Sequence, residues 1–203
     1  MQGKKIIALS FNNFVFLLTG IILLSPTVQG LCQLPSDTIK PGSLNQNLIS
    51  QLIRNGIDSL RNRAGAPSLI PDSVLTAAAT DQASYLIEYH TSGHSQPGFR
   101  KSNVGRRIDY YGGTCTQCGE NVAVTFVHEL MENRKTRRRY YNYTYQDLAD
   151  EFIRLWAESQ GHLANAVNPQ YRYTGVCVVI HPKTHRAAAV QVFSAGAQEK
   201  KKS

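Results

Sequence analysis

Three short stretches of the chain carry side chains that could do chemistry. They are Ser92-Gly93-His94-Ser95, Gly119-Glu120-Asn121-Val122-Ala123, and the run from Trp156 to Pro169, which contains Glu158, Ser159, Gly161, His162, Asn165 and Asn168. An imidazole is both a metal ligand and a proton carrier near neutral pH. A carboxylate beside it can orient the ring or accept a proton. A lone histidine after a helix is more often a plain surface residue, so His162 acquires meaning only through the two upstream stretches. Ser159 has no strained strand–turn–helix elbow around it and is not a nucleophile by pattern.

Other candidates compete with these. Four cysteines, Cys32, Cys115, Cys118 and Cys177, allow three disulfide connectivities. The flexible loop from Gly112 to Gly119 can close a short ring, so Cys115–Cys118 with Cys32–Cys177 is the expected pairing in an oxidising compartment. A zinc reading of the cysteines lacks a second ligand pair. A redox reading wants a helix after the first cysteine, and here the loop leads into a strand. His181 and His185 have a metal-like spacing but lie in a turn, where they need not converge. Between Arg134 and Tyr143, five basic residues accompany three tyrosines. That insertion could hold an acidic glycan or nucleic acid, with a solvated loop as the plainer reading. Asn142-Tyr143-Thr144 is a glycosylation sequon.

The elements that must position these residues read as follows. Ser43 and Gln46 resemble a capping box, and Ile49, Ile53, Ile57 and Leu60 then recur at helical spacing, widened by Leu48 and Leu52. Arg63, Gly65 and Pro67 end that helix. Asp72 is placed to cap a second helix, whose buried stripe is Leu75, Ala79, Ala83 and Leu86. Residues 122–127 form an apolar strand. Thr144 and Asp147 start a third helix, with Leu148, Phe152, Leu155 and Trp156 on its inner face. Gly161 is suited to end it, which would deliver His162 on a turn. Residues 176–180 and 187–193 read as a hairpin.

Residues 1–30 are a secretory leader by pattern: Lys4 and Lys5, an apolar run from Phe14 to Leu24, and Val28-Gln29-Gly30 before the expected cleavage. The apolar run is too short and interrupted to span a membrane. Residues 31–42 are a lead-in, 43–196 the folded domain, and 197–203 a basic tail. The formal net charge is +8. Such a charge favours loose attraction to anionic surfaces and identifies no specific nucleic acid.

A histidine, then G-E-N-V-A, then W-x-x-S-x-G-H-x-x-N-x-x-N-P, in that order, resembles the CAP superfamily of cysteine-rich secretory, antigen 5 and pathogenesis-related 1 proteins, also called SCP-domain proteins. The resemblance implies an α+β fold, a three-layer α-β-α sandwich, over nearly all of the exported chain. It implies a cleft in which His94 and His162 hold a divalent cation such as zinc, with Glu120 beside them. His90 is the alternative to His94. The family's second glutamate falls on Ser159. Glu158 is one position off, about 100° round a helix, and is expected to face elsewhere. The resemblance further implies a secreted protein, non-enzymatic, that binds an extracellular ligand such as a lipid or sterol. Two alternatives stand beside it. One is a metal-assisted hydrolase or peptidase using Glu120 with His94 and His162. The other is a glycan- or surface-binding adhesion module using the Arg134 to Tyr143 insertion.

Overall fold

The structure is a computed structural model that describes residues 33–132, 137 and 139–198, all of them within the unit Gln33–Ser203. The expected leader, Cys32, most of the basic tail and part of the Arg134 to Tyr143 insertion lie outside the described residues.

Helix α1, Gln46–Arg63, begins at Asn45, whose Oδ1 accepts from the Leu48 amide at 3.1 Å. The cap therefore lies two residues beyond Ser43, because Pro41–Ser43 turn first as a short 3₁₀ helix. Ile49, Ile53 and Ile57 are fully buried along one stripe, each stabilising the fold by roughly 1.5–3 kcal/mol. Gly56 lies against Ile153, and a side chain there would overlap it. The glycine thus costs helix propensity but permits close approach of the helix carrying Ile153.

Strand β1, Ile70–Pro71, is two residues long. Helix α2, Ser73–Glu88, is capped as expected, with Asp72 Oδ1 accepting from the amides of Val74 and Leu75 at 2.9 and 3.0 Å. Helix α3 is Val104–Tyr110, and strand β2 runs from Cys118 to Phe126. The insertion is partly a small hairpin rather than a loop, with β3 at Leu130–Glu132 and β4 at Arg139–Tyr141. Helix α4, Tyr145–Ala157, starts with the reciprocal Thr144–Asp147 capping box. Helix α5, Gln160–Ala166, and strands β5, Tyr173–Ile180, and β6, Arg186–Ser194, complete the chain.

The main sheet has the order β1-β5-β6-β2, with β1 parallel to β5 and the other pairs antiparallel. Side chains alternate between its faces. Val176, Val178, Ala187, Ala189 and Phe193 face the layer of α1, α4 and α5. Cys177, Ala188, Val190, Val192 and Val122 face α2 and α3. The result is the expected helix–sheet–helix sandwich, with a core on each side of the sheet.

Cys115 and Cys118 form a disulfide. The expected Cys32–Cys177 bond is a correction: Cys177 is a free, buried thiol. Its side chain points into the α2-side core from the centre of β5, with its thiol 3.9 Å from Gln46 Oε1. The sequon asparagine is also internal. Asn142 is 1 % exposed and donates to Thr125 Oγ1 and Phe126 O, so the folded chain does not offer it to a glycosylating enzyme.

Candidate functional site

Strand β2 is an edge strand, and the candidate site is built around its first half. Because side chains alternate, Glu120 is directed toward the α2–α3 layer and Asn121 toward the α4–α5 layer. Residues from both helical layers can meet around the strand's free edge.

On the first side, Glu120 is almost fully buried, and a buried carboxylate needs partners. Arg107 of α3, 0 % exposed, donates from Nη2 to Glu120 Oε2 at 2.5 Å. The same guanidinium donates from Nη1 to the carbonyls of His94 and Lys101, both at 3.1 Å. It therefore anchors the loop after α2 as well as the carboxylate. His94 Nδ1 donates to Glu120 Oε1 at 2.9 Å while about half of the ring faces solvent. That hydrogen bond fixes the tautomer and leaves Nε2 as the free lone pair of the neutral ring. It also raises the His94 pKa, against an opposing effect of burial, with the Glu120 charge adding to the rise.

On the second side, His162 does not follow a helix end. Ser159 is the N-cap of α5, Gly161 is helical, and His162 sits in the first turn of that helix. Helix α4 has already ended, with Glu158 as its C-cap. Asn121 Nδ2 donates to the His162 carbonyl at 3.0 Å. Asn165 Nδ2 donates to Glu120 O at 3.2 Å and Asn121 Oδ1 at 3.1 Å. The two asparagines satisfy the strand's free edge and register α5 on it. Arg61, also 0 % exposed, clamps the far end of α5 by donating to the carbonyls of Ala166, Asn168 and Tyr171 and to that of Pro67. Burial lowers the His162 pKa, and the His94 charge lowers it further.

The two rings face each other with centroids 6.2 Å apart and planes at 57°. A ring centroid lies roughly 3.2 Å from an ion bound through one ring nitrogen, so two rings sharing an ion lie within about 6.4 Å. The pair lies inside that limit, about 1 Å wider than the spacing of two rings on a tetrahedral ion, so the rings would have to close slightly around an ion. Among the described residues no third histidine, cysteine, aspartate or glutamate joins them as a ligand group. Glu120 is placed to orient His94, since its two oxygens are taken by His94 and Arg107.

Glu158 lies apart from this cluster. It is exposed, and Arg154 donates to it at 2.6 Å while also holding Glu151. His90 is elsewhere too, its ring 5.6 Å from that of His181. In the insertion, Glu132 pairs with Arg137 at 3.0 Å and Arg139 at 3.7 Å, both arginines being exposed. Sequence reasoning missed Arg107 as a site residue, Asn121 and Asn165 as its edge locks, and Arg61 altogether. Arginine in an apolar helical stripe, as at Arg61 four residues after Ile57, was the available signal.

A concave surface stands on the segment between His94 and Glu120. This groove, of about 370 Å³, is lined by Phe99, Arg100, Arg106, Asp109 and Tyr110. Phe99 is 75 % exposed, and the Arg106 guanidinium lies 3.6 Å from its ring centroid.

Comparison with known proteins agrees with this architecture. Solved structures sharing the fold include an extracellular SCP-domain protein of Bacillus anthracis, at 20 % identity and a TM-score of 0.56, covering 79 % of this chain and 45 % of that one. They also include an outer surface protein of Borrelia burgdorferi, at 18 % identity and a TM-score of 0.56, covering 75 % and 93 %. A cysteine-rich secretory protein of Staphylococcus aureus aligns at 14 % identity and a TM-score of 0.50, covering 75 % and 40 %. The chain thus spans less than half of the Bacillus and Staphylococcus proteins and nearly all of the Borrelia one. No curated protein matches it by sequence. Among the described residues no helix is long and apolar enough to cross a membrane. The cysteine-rich secretory protein (CAP) family model matches residues 55–193, and the chain belongs to that family.

Proposed function

We propose that this CAP-domain protein acts outside the cell and holds a divalent cation, zinc or a similar ion, between His94 and His162. The observation that carries the reading is the oriented imidazole: His94 is fixed by Glu120 at 2.9 Å with its other nitrogen free, facing His162 across 6.2 Å. When bound, such an ion would supply Lewis acidity and a bridge to an external ligand. Two imidazoles leave several positions for water, so the affinity is modest and falls as the rings protonate.

The binding reading is favoured over the hydrolase. A general base needs a free oxygen facing the substrate, and both Glu120 oxygens already accept hydrogen bonds from the protein. The groove lined by Phe99, Arg100, Arg106, Asp109 and Tyr110 is the surface we assign to an extracellular ligand. Its exposed phenyl ring, and two guanidiniums against the single carboxylate of Asp109, suit an amphipathic anion such as a fatty acid or acidic lipid better than a neutral sterol.

Calorimetric titration of the cleft with zinc tests the proposal. His94→Ala and His162→Ala should each lower affinity at least tenfold, whereas Glu158→Gln should leave it unchanged. Full affinity in either histidine variant would exclude the cleft as the metal site.

A further inference from the structure

All six histidines of the chain stand in ring pairs. Two pairs lie away from the cleft and share the β5–β6 connection: His90 with His181 at 5.6 Å, and His128 with His185 at 5.4 Å between centroids. His181 and His185 therefore do not converge on one another, and each meets a partner from another part of the chain.

The two pairs differ chemically. His181 Nδ1 accepts from the amides of Lys183 and Thr184 at 3.2 and 3.1 Å. Its proton therefore sits on Nε2, and the ring offers no lone pair without breaking the turn. His128 is in the opposite condition. Its Nε2 is buried and has no hydrogen-bond partner, a state that native folds rarely leave uncompensated. Backbone bonds hold both members of this second pair in place. The His128 amide donates to Asn142 O at 3.2 Å, the His185 amide to His181 O at 2.9 Å, and the Val127 amide to His185 O at 2.9 Å. His128 and His185 both occupy the left-handed region, with φ of 59° and 55°. Non-glycine residues pay a strain cost there, so the surrounding structure over-determines them.

The spacing suits one ion. Two imidazoles on a tetrahedral centre, each with its centroid roughly 3.2 Å from the metal, have centroids about 5.2 Å apart. The observed 5.4 Å is close to that value, with the two ring planes edge-on at 81°. Tyr143 covers one side of the His128 ring at 4.7 Å between centroids. No third histidine, cysteine or carboxylate completes a ligand group among the described residues. The other positions would fall to water or an external ligand.

We infer that His128 and His185 form a second binding site for an imidazole-preferring divalent transition ion, separate from the cleft. Neutral imidazole ligands rank such ions with copper above nickel and zinc.

The test uses protein carrying His94→Ala and His162→Ala, which removes the cleft site. Calorimetric titration with copper(II), and separately with zinc, should still show one bound ion. Adding His128→Gln or His185→Gln should cost at least tenfold in affinity, while His181→Gln should not. Should a variant misfold, copper(II) electron paramagnetic resonance on the folded His94→Ala, His162→Ala protein gives the answer, with two nitrogen ligands expected. No bound ion in that protein, a one-nitrogen copper signal, or loss on His181→Gln alone would overturn the inference. Failure of the cleft reading would look different, because the unmodified protein would then bind a single ion sensitive only to His128 and His185.

Discussion

Replacing Arg107 with methionine keeps most of the apolar volume and removes the guanidinium. The side chains of Arg107 and Glu120 are 0 % and 2 % exposed, so solvent cannot take the place of the lost donor. Glu120 Oε2 loses its partner, and the carbonyls of His94 and Lys101 each lose one. Orphaning a buried charge costs about 3–5 kcal/mol. The expected loss is in that range, a large fraction of the stability of a typical domain. Glu120→Gln in the same background removes the charge that was orphaned, so the double variant should be less destabilised than the sum of the singles. Urea denaturation followed by the fluorescence of Trp156, the single tryptophan and fully buried, supplies both numbers. A loss under about 1 kcal/mol for Arg107→Met, or strict additivity in the double variant, would refute the claim that this ion pair organises the site.

The remaining predictions concern titration and the free thiol. In metal-free protein, nuclear magnetic resonance should find His94 titrating above the ordinary 6.5 and His162 below it. By linkage, the His94 contribution to stability is full below 6.5 and lost as pH rises through its folded value. The His162 contribution has the opposite sign, full above 6.5 and lost as pH falls through its folded value; a reversed order of midpoints would contradict the geometry. Burial pushes the Cys177 thiol up, against a hydrogen bond with Thr80 that lowers it. A thiol reagent should label Cys177 only after denaturation, and labelling of the native protein would show that β5 does not enclose it.

The fold was legible wherever periodicity and capping agreed. Asp72 before α2 and the Thr144–Asp147 box before α4 each join a local hydrogen bond to a buried face, and each helix starts there, while the isoleucine stripe located α1 although its cap fell on Asn45 rather than Ser43. Short-range signals failed where tertiary contact decided the outcome. Gly161 is a plausible helix terminator, yet α4 ends earlier and a second short helix starts at once, registered by Asn121 and Asn165 on the sheet edge. Those contacts span more than forty residues and leave no trace in local spacing. Arg61 and Arg107 were obscured for a related reason. Arg61 at least stands in register with the isoleucine stripe, whereas nothing local marks Arg107, and in both cases the carbonyls that converge on the guanidinium come from distant parts of the chain. Cys177 shows the same limit, since an even cysteine count does not reveal that one thiol lies inside a core.

The most direct test of the cleft as a cation site is anomalous diffraction from crystals soaked in zinc, collected on both sides of the metal edge. The expected result is a peak between the rings of His94 and His162, bonded to His94 through Nε2, with Glu120 still on Nδ1 and Glu158 still on Arg154. Absence of a peak there, while zinc is bound elsewhere on the protein, would contradict it.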